Sequence, residues 1–199
     1  MTAKAALLLL DLQNEMVDPK GKIGAHGMAQ AVADGHVLEN ASRALRLARG
    51  AGIAVVHVRL GFRADYADAF SVAPRIATLK KNGAAVLGEW GTEFPAAIAP
   101  LASELVVTKQ CVNPFFNTPL LHWLSQTGVR RLYIGGVATH MAVEHAVRAA
   151  DDAGFEPIVL RDCCAAPSAE LHAHALEKVM PAFGVVSDVN GMEAQLQAA

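Results

Sequence analysis

The stretch LYIGGVATHMAVEHAVRAADDAGFEPIVL, Leu132 to Leu160, decides the fold. It opens on an apolar run, Leu132–Ile134, and passes a glycine-marked turn at Gly135 and Gly136. Apolar residues then recur at helical spacing over Thr139–Ala153. Gly154 stands where a C-terminal cap belongs, and Pro157–Leu160 is apolar again. Strand, helix and strand in that order predict two parallel strands joined by a crossover helix.

The alternation extends in both directions. Ala5–Leu10, Ile53–Val58, Leu105–Thr108 and Val185–Val186 read as further buried strands, and Val37–Arg49, Thr118–Gln126 and Ala169–Met180 as helices. Gly50, Gly52, Gly128 and Gly184 sit just past helical patterns, as caps do. The segment from Gly61 to Pro100 is less regular and reads as loops and short helices over one end of the sheet. No repeat, low-complexity tract or long linker divides the chain, so residues 1–199 are expected to form one domain. Its predicted class is α/β: a three-layer α/β/α, Rossmann-like arrangement around a mostly parallel sheet of about six strands.

Composition narrows the function classes. The chain is 53% hydrophobic and 18% charged, with a formal net charge of −2, and no window concentrates Lys or Arg. Nucleic acid is therefore not an expected partner. The apolar run before Asp11 is too short for a membrane span and lacks a signal-peptide cleavage region, so no membrane association is expected. The three cysteines, Cys111, Cys163 and Cys164, show no framework spacing, which fits a reducing cytoplasm.

In open α/β sheets ligands bind beyond the carboxyl ends of the strands. Three such ends carry the interest: LLLLDLQN ends in Asp11, LVVTKQ ends in Lys109, and LYIGGVATHM leads to Ala142. A carboxylate beside an ammonium can shift each other's pKa and move protons, although two unrelated surface charges have the same spacing.

The segments LLLLDLQNEMVDP, VVTKQCVNPFFNTPL and GGVATHMAVEHAVRAADDAGF, followed by VLRDCCAA, resemble in order and spacing the isochorismatase-like, or cysteine hydrolase, family. That family includes nicotinamidases, carbamoylsarcosine amidase, ureidoacrylate amidohydrolase and isochorismatases. The resemblance implies a hydrolase of a non-peptide C–N bond in a small amide, carbamoyl or ureido compound. By the same resemblance Asp11 is the general base and Lys109 its partner. Together they deprotonate a cysteine that opens the helix after GVAT, and this thiolate forms a thioester with the substrate. The resemblance also implies an oxyanion hole from the backbone amides of Ala138 and Ala142, with a cis peptide between Val137 and Ala138. The chemistry is intelligible, because a base, a cation and a helix N-terminus all favour thiolate.

The pattern breaks at one place: the nucleophile position holds Ala142. Three readings stand open. An alanine has been engineered in place of a native cysteine, leaving an inactive thiol enzyme. Or the chain is a thiol-independent, isochorismatase-type vinyl-ether hydrolase with Asp11 as acid. There His140 matches the histidine of a GVYAH loop, while KQCVNPFFNTPL lacks the Trp-Arg-Tyr run of those enzymes. Or the chain is a non-catalytic ligand-binding or assembly protein. Cys111, two positions beyond Lys109, would share its side of a continuing strand.

Nicotinamidases hold a metal through an Asp-x-His segment and a later histidine, which VHVRLGFRADYADAF does not contain. No metal and no cofactor are expected. A small-molecule substrate is expected to meet Gln13, Phe62, Arg63, Trp90, Phe115, Phe116 and His140, which lie in or beside the irregular segments. The resemblance and the Ala-rich helices lead us to expect a homo-oligomer, dimer or tetramer.

Overall fold

Leu7, Leu8, Leu9 and Leu10 are wholly inaccessible to solvent, as a strand buried on both faces requires. They belong to β1 (Lys4–Leu10), which lies near the middle of a six-stranded sheet in this computed structural model describing residues 4–198. The other strands are β2 (Ala54–Leu60), β3 (Leu105–Lys109), β4 (Val129–Val137), β5 (Glu156–Ala165) and β6 (Val185–Ser187). All pairs are parallel, in the order β3-β2-β1-β4-β5-β6.

The helices are α1 (Asn14–Val17), α2 (Met28–Asp34), α3 (Val37–Gly50), α4 (Pro74–Asn82), α5 (Leu120–Thr127), α6 (Glu144–Asp152), α7 (Ala169–His174) and α8 (Val189–Gln197). Strand residues alternate between two cores. Leu7, Leu9, Tyr133, Ile158 and Leu160 pack with Ala41 and Leu45 of α3 and Met192 of α8. Leu8, Leu10, Val56, Val58 and Ile134 pack on the other face with Leu124 of α5 and Ala146, Val147 and Ala150 of α6. The three-layer α/β/α arrangement follows directly, and each fully buried Leu contributes about 1.5–3 kcal/mol of burial. No helix among the described residues is long and apolar enough to cross a membrane.

Several elements differ from the sequence reading. β4 does not turn at the two glycines but continues through Gly135, Gly136 and Val137. β5 likewise runs on through Cys163 and Cys164, both buried, and its register with β4 shifts between Ile134 and Gly136. Gly136 explains how β4 can extend so far. Its φ is 141°, and a Cβ there would lie 2.1 Å from the carbonyl oxygen of Leu10. Only glycine lets the ends of β1 and β4 approach this closely. The predicted helix over Thr139–Ala153 starts as a π-helical turn, Thr139–Val143, before α6. The one over Ala169–Met180 divides into α7, a π-helical turn at Ala175–Val179 and a 3-10 turn at Met180–Ala182. Helices α1, α2 and α8 were not expected.

Strand order reverses between β1 and β4, so the crevice beyond their carboxyl ends is where a ligand belongs in this topology.

Candidate active site

β1 delivers Asp11 to that crevice. Its backbone has a φ of 57° and its N–H donates to the carbonyl of Val58 at 2.8 Å, so the chain turns sharply off the sheet. Aspartate tolerates this left-handed conformation better than most residues. Lys109 closes β3, two strands away, and its register partner Leu60 closes β2 between them. The Lys109 side chain crosses the end of β2, and Nζ lies 2.7 Å from Asp11 Oδ2. A second donation, to the Val112 carbonyl at 3.0 Å, fixes the ammonium.

Both residues are almost entirely buried, at 4% exposure for Asp11 and 1% for Lys109. Burial pushes the Asp11 carboxyl above its ordinary value, and the Lys109 ammonium opposes that rise. Asp11 Oδ1 is buried and makes no hydrogen bond to any described residue. One oxygen of the carboxyl is thus held by the lysine and the other is unengaged.

Asp11 and Lys109 open onto a cavity of about 430 Å³, within the usual range for small-molecule sites. Val137, Ala138 and Ala142 line the same cavity. The peptide between Val137 and Ala138 is cis, and the Ala138 carbonyl accepts from the N–H of Met141 at 3.0 Å. The π-helical turn is braced from outside, where Thr139 Oγ1 meets His172 Nδ1 at 2.8 Å. Burial, with Arg161 and His140 nearby, holds the His172 imidazole below its ordinary pKa. π-Helical turns inside α-helices occur often at functional sites.

The structure therefore brings Asp11, Lys109, Ala138 and Ala142 together. Cys111 joins them from the loop after β3, its Sγ 3.3 Å from the Asn113 carbonyl. The expected substrate contacts fare differently, and none of the seven lines this cavity. Gln13 is buried as a clamp on β2: its amide donates to the Leu60 carbonyl at 2.9 Å and accepts from the Leu60 N–H at 2.8 Å. Phe62 is core, packed with Ile76 and Ala85. Arg63 pairs on the surface with Asp65 at 3.1 Å. Trp90 is 45% exposed and contributes only its carbonyl, to Asn14. Phe115 stacks on Phe155, and Phe116 lies at the surface beside Phe70. His140 lines a neighbouring depression with Glu144, His145 and Arg148.

The wall that the sequence did not announce comes from α1, the segment that links it to the start of α2, and α4. Met16, Ile23, Met28, Ile76 and Leu79 supply apolar surface, and Lys22, His26 and Arg75 supply basic groups. Glu15 ties these segments together. Its buried carboxylate accepts from the Lys22 N–H and, at 2.8 Å, from the Ala85 N–H. Among the described residues no group of three or more His, Cys, Asp or Glu is placed to hold a metal ion.

Comparison with known proteins matches this frame. The Isochorismatase domain family model covers residues 5–191. A ureidoacrylate amidohydrolase, RutB, of Methylorubrum extorquens is 31% identical, the match covering 96% of this chain and 82% of that protein. YecD of Escherichia coli O157:H7, an isochorismatase family protein, is 31% identical with 92% of each chain covered. Among solved structures, a cysteine hydrolase from Pseudomonas syringae pv. phaseolicola superposes with a TM-score of 0.87 at 21% identity, covering 98% of this chain and 93% of that one. N-carbamoylsarcosine amidase from Thermoplasma acidophilum gives 0.73 at 22% identity, covering 94% and 97%. These two share the fold.

Proposed function

The chain belongs to the isochorismatase family of hydrolases, and from that premise we propose that its site is built to cleave a non-peptide C–N bond in a small amide, carbamoyl or ureido compound. The observation that carries the reading is the buried 2.7 Å pair of Asp11 and Lys109, opening on the cavity that Ala138 and Ala142 also line. The amidohydrolase names of the relatives support the reaction class.

In this reading position 142 is the seat of a thiol. Asp11, oriented by Lys109, takes the thiol proton, and the thiolate adds to the substrate carbonyl carbon. The backbone amides of Ala138 and Ala142 receive the charge that develops on oxygen. Collapse of that adduct expels ammonia or an amine with the proton from Asp11 and leaves a thioester. Water hydrolyses the thioester and restores the thiol. With a methyl group at 142 the chain as it stands binds substrate and stops there.

The Ala142→Cys variant tests this. Ammonia release from a panel of small amides and ureido acids is expected from the variant, on the order of 10,000-fold or more above the chain as it stands. Silence of both across the panel would sink the proposal.

A second reading has one observation in its favour. A carboxyl raised by burial, with Oδ1 unengaged, is suited to donate a proton, as vinyl-ether hydrolysis requires. His140, turned toward the neighbouring depression, counts against it. Turnover of a vinyl ether by the unaltered chain would favour this reading. As part of the proposal we place the protein in the cytoplasm as a homo-oligomer, dimer or tetramer. The exposed pair Phe70 and Phe116, whose ring centroids lie 5.9 Å apart, supports assembly, and light scattering in solution would measure it.

A further inference from the structure

The cavity changes character along its length. At its buried end stand Asp11, Lys109 and Ala142. Most of the remaining lining is apolar, with Met16, Ile23, Met28, Ile76 and Leu79 among it. Its exposed rim carries Lys22, His26 and Arg75, and Asp11 is the sole acidic residue in the lining. A small amide with no further substituent would touch only the first of these regions.

Helix α4 organises the outer part. Arg75, Thr78, Leu79 and Asn82 all line the cavity, at the i, i+3, i+4, i+7 spacing that puts residues on one face. Ile76 of the same helix is buried beside them. The face therefore offers apolar surface next to a guanidinium and a carboxamide, both able to donate to an anion, while the Thr78 hydroxyl donates to the Pro74 carbonyl at 3.2 Å. Lys22 is partly engaged, donating to the Gly83 carbonyl and lying 3.8 Å from Glu89. Arg75 is paired with no carboxylate among the described residues. It is the cation left for a ligand, and its planar fork suits a carboxylate.

We propose that the preferred substrate is amphipathic: an amide or ureido head at Asp11, an alkyl body along the apolar wall, and a terminal carboxylate held by Arg75 on α4. This rests on the reaction class proposed above and adds to it the size and charge of the substrate. A cavity of about 430 Å³ holds considerably more than a ureido group, and its mostly apolar lining leaves room for several methylenes between head and tail.

Because the chain carries Ala142, binding is measured without turnover. The probes are ω-ureido carboxylic acids with one to about six methylenes, each beside its methyl ester, titrated by calorimetry. The dissociation constant of the acids is expected to fall roughly three- to fourfold per methylene over the middle of the series. Acids should bind roughly fivefold more tightly than their esters. Arg75→Gln should abolish that preference while leaving ester affinity unchanged, and high salt should weaken acid binding only. Affinity that is flat with length, or an acid preference that survives Arg75→Gln, overturns the inference. The two proposals fail separately. Ammonia release by Ala142→Cys without length or charge preference removes only the amphipathic substrate. The expected binding pattern with no release removes only the reaction.

Discussion

Replacing Lys109 with methionine tests the physics of the site independently of any substrate. The ammonium sits 2.7 Å from Asp11 Oδ2 with both side chains buried, so its loss leaves a carboxylate without a counter-charge and without a donor on either oxygen. Breaking a buried pair in this way costs about 3–5 kcal/mol, against about 1 kcal/mol or less for an exposed pair. For a chain of this length the corresponding fall in melting temperature is roughly 6–20 °C. The loss should depend on pH. Asp11 already titrates above its ordinary value in the folded chain, so its favourable contribution is complete below about pH 3.8 and declines as pH rises through the folded value. Without Lys109 that folded value climbs further and the decline extends to higher pH. The deficit of Lys109→Met is therefore larger at pH 7.5 than at pH 4. The double variant Asp11→Asn/Lys109→Met should recover most of it at pH 7.5, since asparagine also accepts the left-handed backbone. Urea unfolding of the three chains at both pH values makes the measurement. A single-variant loss under about 1 kcal/mol, or a double variant no better than the single, would refute the account of a buried ion pair.

Two further outcomes are expected. Gly136→Ala should cost about 3 kcal/mol or more in urea unfolding, because its Cβ would meet the Leu10 carbonyl oxygen at 2.1 Å on a backbone with φ of 141°. Glu104 accepts both arms of Arg49 at 2.8 and 2.9 Å and meets His57 at 3.2 Å, and its pKa lies at about 2. Burial works against this depression, and the Arg49 hydrogen bonds and the Leu101 N–H overcome it. Its contribution is present above pH 4.5 and lost as pH falls toward 2, so acid unfolding should begin in that window and flatten in Glu104→Gln.

The sheet was legible because central parallel strands are buried on both faces and read as continuous apolar runs, and the edge strands β3 and β6 carry shorter apolar runs of the same kind. Their ends were not, since Arg130 and Arg131 follow Val129 at the start of β4 and Arg161 and Asp162 continue β5 in polar residues at the sheet margin. Asp11, Lys109 and the turn at 138–142 were placed by motif, and the geometry brings them to one cavity. The cavity wall was misjudged for a physical reason. Aromatics in an irregular segment look available, yet a ring such as Phe62 gains most by joining a satellite core with Ile76 and Ala85. The residues that do line the wall were detectable: Pro74 opens a helix, and Arg75, Thr78, Leu79 and Asn82 then share a face. Helix α8 also had a signal, as Asp188 caps it by accepting from the Gly191 N–H at 2.8 Å.

The strand order has one more consequence. Strands β1, β2 and β3 form one half of the sheet and β4, β5 and β6 the other, joined only by the pairing of β1 with β4. Asp11 and Lys109 belong to the first half and the Ala138–Ala142 turn to the second. A chain divided at Gly128 would part the buried ion pair from the turn that shares its cavity. Neither fragment would hold a site, and complementation of the two would be read directly as the return of ligand binding. The cavity is, in that sense, the seam of the sheet.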